Sequence, residues 1–424
     1  NALDATHTQY ALKRLLNRIG INRAEVHVWP ILPPVEHEAT ARATLLHEAL
    51  RPAVTTHVWH NENLIDEAAV TGLALAECDD LQQEAGVIAL RMRAALQIDE
   101  ATGRRDQTAA LVTADRRLAR RVVAELKRWD ISVDDSAGEP LGNTPPGALL
   151  RLTARLADSG LAPVELLAAL KHPLAAGGMP TGEFRALARK LEIQCLRGPR
   201  PAPGIEGLQL ALAGSRDGET LHEWLAGIGS HLTPFFSLWS SGQVGLADIV
   251  RAHVGFTEWL AGDDDDAGGT RLWDGEAGDA AAALIADLLE NTNTIGALPA
   301  SDYAGMLEAL MDARAVRPRY GQHPRLFIWG PLEARLQRAD IMILGGLNEG
   351  SWPPEPGDDP WMSRPMRDAF GLPPHEQRIG LSAHDFVQAA SSRNVMFTRA
   401  RRAGGGPTVP SRWLLRLGAL LAAG

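Results

Sequence analysis

Few residues in this chain stand in patterns that could break a bond. One string, Glu125-Leu126-Lys127 with Asp115 ten residues earlier, has the carboxylate and lysine make-up of a metal-dependent nuclease. Such a centre needs those groups at a strand edge, where they hold a divalent ion and a water. Here Leu118, Val122, Leu126 and Trp129 recur around the string at helical spacing, which predicts a helix with Leu126 facing a core. The pairs His37-Glu38 and His47-Glu48 place their histidines ten residues apart. A zinc-binding H-E-x-x-H needs both on one turn of one helix face, so these read as helix-surface residues. The run Asp263–Asp266 lacks the alternating spacing of a calcium loop and reads as a solvated loop tip. The two cysteines, Cys78 and Cys195, cannot form a four-thiolate zinc or iron–sulfur site or a disulfide scaffold. There is no G-x-S-x-G, neither cysteine adjoins a histidine, and Gly404-Gly405-Gly406 does not lead from a strand into a helix. The sequence therefore assigns no catalytic and no metal-ligating residue.

Basic residues carry more information. Four lysines (Lys13, Lys127, Lys171 and Lys190) stand against 38 arginines, a split that codon bias explains. A P-loop requires Gly-Lys-Ser/Thr, and no Gly-Lys pair occurs in the chain. Arginines remain. Arg399, Arg401 and Arg402 follow the apolar run Val395–Thr398, with Arg412 and Arg416 soon after. Arginine at the end of a strand in an α/β domain sits where phosphates are bound. Arg399, Arg401, Arg402 and Arg412, together with Arg116, are accordingly the candidates for facing the phosphates of a nucleotide or a nucleic acid.

Four stretches must position these residues. Residues 1–75 read as a helix over about Thr8–Arg18, a short strand Val26–Trp29 and a second helix over about Glu36–Leu50. Residues 76–145 read as α/β units: a helix around Leu81–Leu96, strand Ala109–Thr113, helix Arg116–Arg128, strand Ile131–Val133, and a turn leading to Thr144-Pro145-Pro146, which opens the next helix. Residues 146–310 are Leu/Ala-rich and helical, broken by Gly/Pro loops. Residues 311–424 return to α/β, with buried-strand runs at Leu326–Trp329 and Ile341–Leu344, a helix at Glu376–Ala390 and a strand at Val395–Thr398. An α/β domain with a parallel sheet and a helical insertion is expected.

Composition bounds the reading. The 424 residues carry a net charge of −10 with 45% hydrophobic and 22% charged side chains, which excludes a disordered or fibrous chain. The net charge argues against nucleic-acid binding over the whole surface and leaves room for a local basic groove. No apolar run reaches the length of a membrane span, and no signal-like start is present. The chain begins at Asn1 without an initiator Met and reads as a piece of a longer protein.

Residues 343–353, Ile-Leu-Gly-Gly-Leu-Asn-Glu-Gly-Ser-Trp-Pro, include Gly346, Leu347, Asn348, Glu349 and Gly350, and resemble the GLNEG-x-x-P segment of UvrD-like superfamily-one helicases. With Trp361–Arg367, Glu376-Gln377-Arg378-Ile379-Gly380-Leu381-Ser382-Ala383-His384-Asp385-Phe386, Thr398-Arg399-Ala400 and Pro410-Ser411-Arg412-Trp413-Leu414, the chain resembles the AddB family of double-strand-break repair proteins in its alphaproteobacterial form. Residues 110–122, 134–138 and 166–174 are similar to that family's second motor domain, and the likeness covers most of the chain.

The resemblance implies a RecA-like second motor domain interrupted by a helical insertion. Residues 1–75 would be the end of a first helicase-like domain, 76–145 and 311–424 the second, and 146–310 the insertion. It implies an AddA partner subunit, double- and single-stranded DNA ends processed up to a recombination hotspot, and a bacterial cytoplasmic, nucleoid-associated location. It further implies ATP and Mg for the complex, and an iron–sulfur cluster in a C-terminal nuclease domain that this chain lacks; no cofactor is expected in the chain itself.

The chain departs from active helicases at two points. They carry Lys-Gly-Leu-Glu-Phe before the GLNEG strand, where this chain has Gly330-Pro331-Leu332-Glu333-Ala334-Arg335. They also end a helix in Thr-Arg-Ala, whose arginine reaches the ATP γ-phosphate. Here Thr398-Arg399-Ala400 is expected to follow a strand, which leaves Arg399 and Arg378 as the arginines to weigh for that role. The expectation is a helicase-like, non-hydrolysing element that positions DNA and docks AddA. The alternatives are half of an active helicase supplying an arginine finger to a P-loop outside this chain, and a protein–protein scaffold without DNA contact.

Overall fold

In the computed structural model, residues 5–27, 37–60, 65–97, 103, 106–239, 242–317, 323–355, 360–374 and 376–423 are described. They divide into two compact units, Asn1–Ala137 with Arg319–Gly424, and Gly138–Pro318.

Short apolar runs pair in parallel in the first unit: β1 (Leu73–Cys78), β2 (Ala109–Val112), β3 (Asp134–Asp135), β4 (Leu326–Trp329), β5 (Ile341–Leu344) and β6 (Asn394–Ala400). Their spatial order is β1-β6-β5-β2-β4-β3, and every neighbouring pair is parallel. Side chains alternate across each strand, and the alternation splits the core in two. Ala110, Val112, Met342 and Leu344 face one side, with helices His37–Ala49, Glu376–Ala390 and Arg412–Ala423 contributing Leu45, Phe386 and Trp413. Ala109, Leu111, Ile341 and Ile343 face the other, against Ile88 of helix Leu81–Ala94 and Leu118, Val122 and Leu126 of helix Arg116–Lys127. Strands buried on both faces are apolar at every position, as β2 and β5 are. The fold is α/β, a six-stranded parallel sheet flanked by helices, with a mainly helical insertion in the chain between β3 and β4.

Capping sets the helix starts. Asp80 accepts from the amides of Gln82 and Gln83, and Asp115 from those of Arg117 and Leu118. Asp115 and Glu125 thus lie on or before a helix whose Leu126 is buried, as its periodicity predicts.

Two expected strands need correction. Ile131–Val133 is not a strand; β3 is Asp134–Asp135, pairing β4 at Phe327 and Ile328. The apolar run brings the chain to the sheet edge and buries Val133, and the ladder bonds begin only after it. The strand expected over Val395–Thr398 extends to Ala400, because β6 lies between two partners and pairs β1 from Leu73↔Val395 to Cys78↔Ala400. Thr398-Arg399-Ala400 is therefore the end of a central strand. Of the expected strand Val26–Trp29, Val26 and His27 are irregular and residues 28 and 29 lie outside the described residues.

The second unit is a helical body. Its longer helices are Pro145–Ser159, Thr181–Leu191, Gly218–Trp239, Leu246–Ala261, Gly275–Glu290 and Asp302–Asp312. Thr144 caps the first with Pro145 at its opening position. Glu139–Pro140 and Ala315–Val316 pair antiparallel, closing the unit where the chain enters and leaves it. In its core His253 is bonded to Thr153 Oγ1 at 2.8 Å and to Tyr303 Oη at 2.9 Å. The Asp263–Asp266 run is a loop, and Asp263 is ion-paired with Arg271 at 2.9 Å. No helix among the described residues is long and apolar enough to cross a membrane.

Candidate functional site

Open α/β sheets bind ligands beyond the carboxyl ends of strands, where neighbouring connections leave to opposite faces. Two such places exist here. The helix after β2 packs on one face and the helix after β5 on the other; the same holds for β1 and β6.

The loop after β5 fills the first place. Gly346 has φ +72°, a backbone conformation in which any residue with a Cβ would be strained. Its amide donates to Glu84 Oε1 at 2.8 Å, and Thr398 Oγ1 donates to the same oxygen at 2.7 Å. Glu84 is fully buried, and burial pushes its carboxyl above the usual range; its Oε2 has no partner among the described residues.

From Gly346 the loop is stitched to both neighbours. Leu347 is buried; its amide donates to Thr398 O at 3.0 Å and its carbonyl accepts from Ser411 N at 2.9 Å. The Glu349 amide donates to Val409 O, and its carboxylate accepts from Arg412 N at 3.2 Å and Arg412 Nε at 2.9 Å, capping helix Arg412–Ala423. Gly350, at φ +87°, turns the chain toward Trp352. That indole is fully buried, donates to Gly345 O at 3.2 Å and packs edge-on to Phe386 and Trp413. The GLNEG and SRWL strings thus meet as two halves of one clamp.

The second place holds the arginines. Arg399 is buried: Nε donates to Asn348 Oδ1 at 3.2 Å, Nη1 to Glu77 Oε1 at 2.6 Å, and Nη2 to Thr408 Oγ1 at 3.2 Å. Arg401 Nη2 donates to Glu77 Oε2 at 3.2 Å. These two guanidinium groups, Arg399 first, hold the Glu77 carboxyl below the usual range. Arg402 is exposed on the hairpin Arg402–Ala403 and Gly406–Pro407, and its guanidinium donates to Gly405 O. Arg399 therefore fastens the loop, while Arg401 and Arg402 face outward.

Arg116, at the start of the helix after β2, pairs with Asp135 at the end of β3. Its Nη1 and the neighbouring Ser136 Oγ are buried atoms without a partner among the described residues, two donors at the carboxyl edge of the sheet. Glu376 and Arg378 are not brought to the loop. They open helix Glu376–Ala390, about 15 Å along it from Phe386; Glu376 pairs with Arg364 at 3.2 Å and Arg378 is exposed.

No Gly-Lys pair exists to cradle a triphosphate, and no group of three His, Cys, Asp or Glu among the described residues could hold a metal. Cys78 and Cys195 are both buried, one in each unit, where burial pushes their thiols up.

Sequence reading missed Glu77, Glu84 and Ser136. Glu84 alone left a signal: Leu81, Glu84, Ala85 and Ile88 form a core-facing stripe, and a carboxylate on such a stripe requires partners. No protein-family model matches the chain, and no curated protein matches it significantly.

Proposed function

We propose that this chain is a helicase-like, non-hydrolysing part of an AddB-type subunit, which positions broken DNA ends for recombinational repair and docks an AddA-type motor in the bacterial cytoplasm. One observation carries the reading: the segments that resemble the family, residues 345–353, 398–400 and 410–414, form a single clamp at the carboxyl edge of a parallel sheet, in a chain without a P-loop lysine. The clamp holds β6 and its following hairpin so that Arg401 and Arg402 face solvent beside it. Arg116 and Ser136 offer further donors along the same edge.

Binding of a blunt duplex by the purified chain, measured against salt, tests the reading. Arg401→Glu with Arg402→Glu is expected to weaken binding for all sequences and lower the log–log salt slope by about 2, with no DNA-stimulated ATPase in either protein. An unchanged slope would remove the DNA assignment; measurable ATPase would favour half of an active helicase. RecA-like motor character and AddA docking are tested by mixing the chain with an AddA-type partner.

A further inference from the structure

The two edges of the six-stranded sheet are built differently. β3 is two residues long and both are aspartates, a short charged edge of the kind that resists pairing. β1 is six residues long, Leu73-Ala74-Leu75-Ala76-Glu77-Cys78, without proline or lysine, and its register with β6 is unbroken. Its single charge, Glu77, is engaged by Arg399 and Arg401. Backbone directions alternate along the strand. Gly72 O accepts from Val395 N and Cys78 O from Arg401 N, so Ala74 and Ala76 between them also face β6. The N–H and C=O groups of Leu73, Leu75 and Glu77 therefore point off the sheet, and they have no partner among the described residues. Leu75 stands beside buried Phe397 yet is itself 56% exposed.

An apolar edge with open backbone groups is a template for one more strand, and the pattern on this edge is self-complementary. A second copy running antiparallel, with the two-fold axis at Leu75, sets Leu75 against Leu75 and Leu73 against Glu77. Like charges are then never opposed, and an apolar pair sits at the centre. Leu73, Leu75 and Glu77 all fall in hydrogen-bonded pairs, so each outward N–H and C=O gains a partner. A flexible peptide would have to be ordered first, whereas a copy brings its strand already extended. We propose that β1 pairs with β1 of a second copy of this chain, joining the two sheets into one. The two carboxyl edges, each with its Arg401 and Arg402, then point in opposite directions. The inference goes beyond the DNA reading above and does not need it.

Sedimentation equilibrium of the 424-residue chain tests it. A six-residue edge buries less than a standard interface of about 1,600 Å², so a monomer–dimer equilibrium with a dissociation constant of about 10–100 μM is expected. Leu75→Pro removes a donor that points off the sheet and spares the ladder with β6; it is expected to weaken dimerisation at least about tenfold. Leu75→Lys, which opposes two ammonium groups across the axis, is expected to do the same, and Leu75→Val to retain it. Unchanged circular dichroism shows that the variants fold. Leu75→Cys is expected to crosslink on mild oxidation, because Cα atoms of a hydrogen-bonded pair lie about 5.5 Å apart. Leu73→Cys is expected not to, its copies lying about 13 Å apart along the strands; the native Cys78 and Cys195 are buried.

A chain that stays monomeric throughout overturns the proposal, as does a dimer that Leu75→Pro and Leu75→Lys leave intact. Equal crosslinking through Leu73→Cys and Leu75→Cys overturns the two-fold register and the proposal with it. If the chain is monomeric alone and Leu75→Pro loses an AddA-type partner instead, the edge belongs to that partner and not to a second copy.

Discussion

Glu84 shows how one buried carboxyl can hold a motif in place. Its Oε1 accepts from the Gly346 amide and the Thr398 hydroxyl, joining the loop after β5 to the strand that carries Arg399. Glu84→Ala leaves two buried donors unpaired and is expected to lower stability by about 2–4 kcal/mol in denaturant titrations; Glu84→Gln, which keeps an acceptor there, is expected to lose less. The pH dependence has a definite sign. Burial, with Asp115 adding to it, raises the native carboxyl above its unfolded value. The unfolded chain therefore releases this proton first, and the stability it contributes is present in acid and fades as pH rises through the raised value. The stability of Glu84→Gln relative to wild type should rise over that window; a flat difference would show that the native carboxyl titrates normally. Arg399 teaches a related lesson. Its place at a strand end suggested a phosphate contact, yet its donors go to Glu77, Asn348 and Thr408. A guanidinium so fully bonded positions its neighbours.

At the scale of elements, the loop between β5 and Trp352 is held by contacts on three sides. Its glycines serve geometry: Gly346 occupies φ +72° and Gly350 φ +87°. Gly346→Ala places a Cβ on that left-handed backbone, and is expected to cost about 1–3 kcal/mol of stability, read as a lowered melting temperature. A neutral result would mean the loop is free to move away from β2. The element boundaries were legible wherever local chemistry decides them, as with the caps Asp80, Asp115 and Thr144. They were not legible at β3 and β6, because a strand's length is set by the partners available to it. β6 continues through polar Thr398 and Arg399 because β1 offers ladder bonds to Ala400.

For the whole molecule, the insertion has its own core and an antiparallel pair, Glu139–Pro140 with Ala315–Val316, that brings its entry and exit together. Residues 138–318 are therefore expected to fold when expressed alone, with helical circular dichroism and a cooperative melt; a non-cooperative melt would refute this independence. The same segment should be acid-sensitive. Burial lowers His253 to about 3 and His172 to about 4, so the unfolded chain takes up protons first as pH falls below about 6.5. Stability is present above that value and lost on acidification toward those native values, by up to about 1.4 kcal/mol per pH unit for each histidine. The sequence by itself determined the α/β class, the helices packed on the sheet at Leu81–Ala94, Arg116–Lys127 and Glu376–Ala390, and the helical character of the inserted block, because periodicity, caps and turn residues act within a few positions of the chain. Only the tertiary structure decided that the GLNEG and SRWL strings form one clamp, that Arg399 is turned inward while Arg401 and Arg402 are not, and that Glu84 joins the halves. Most of those contacts join distant parts of the chain, 51 positions apart for Arg399 and Asn348, 314 for Glu84 and Thr398 and 322 for Arg399 and Glu77, and burial, which sets what a charged side chain can do, exists only once the sheet and its helices have closed around it.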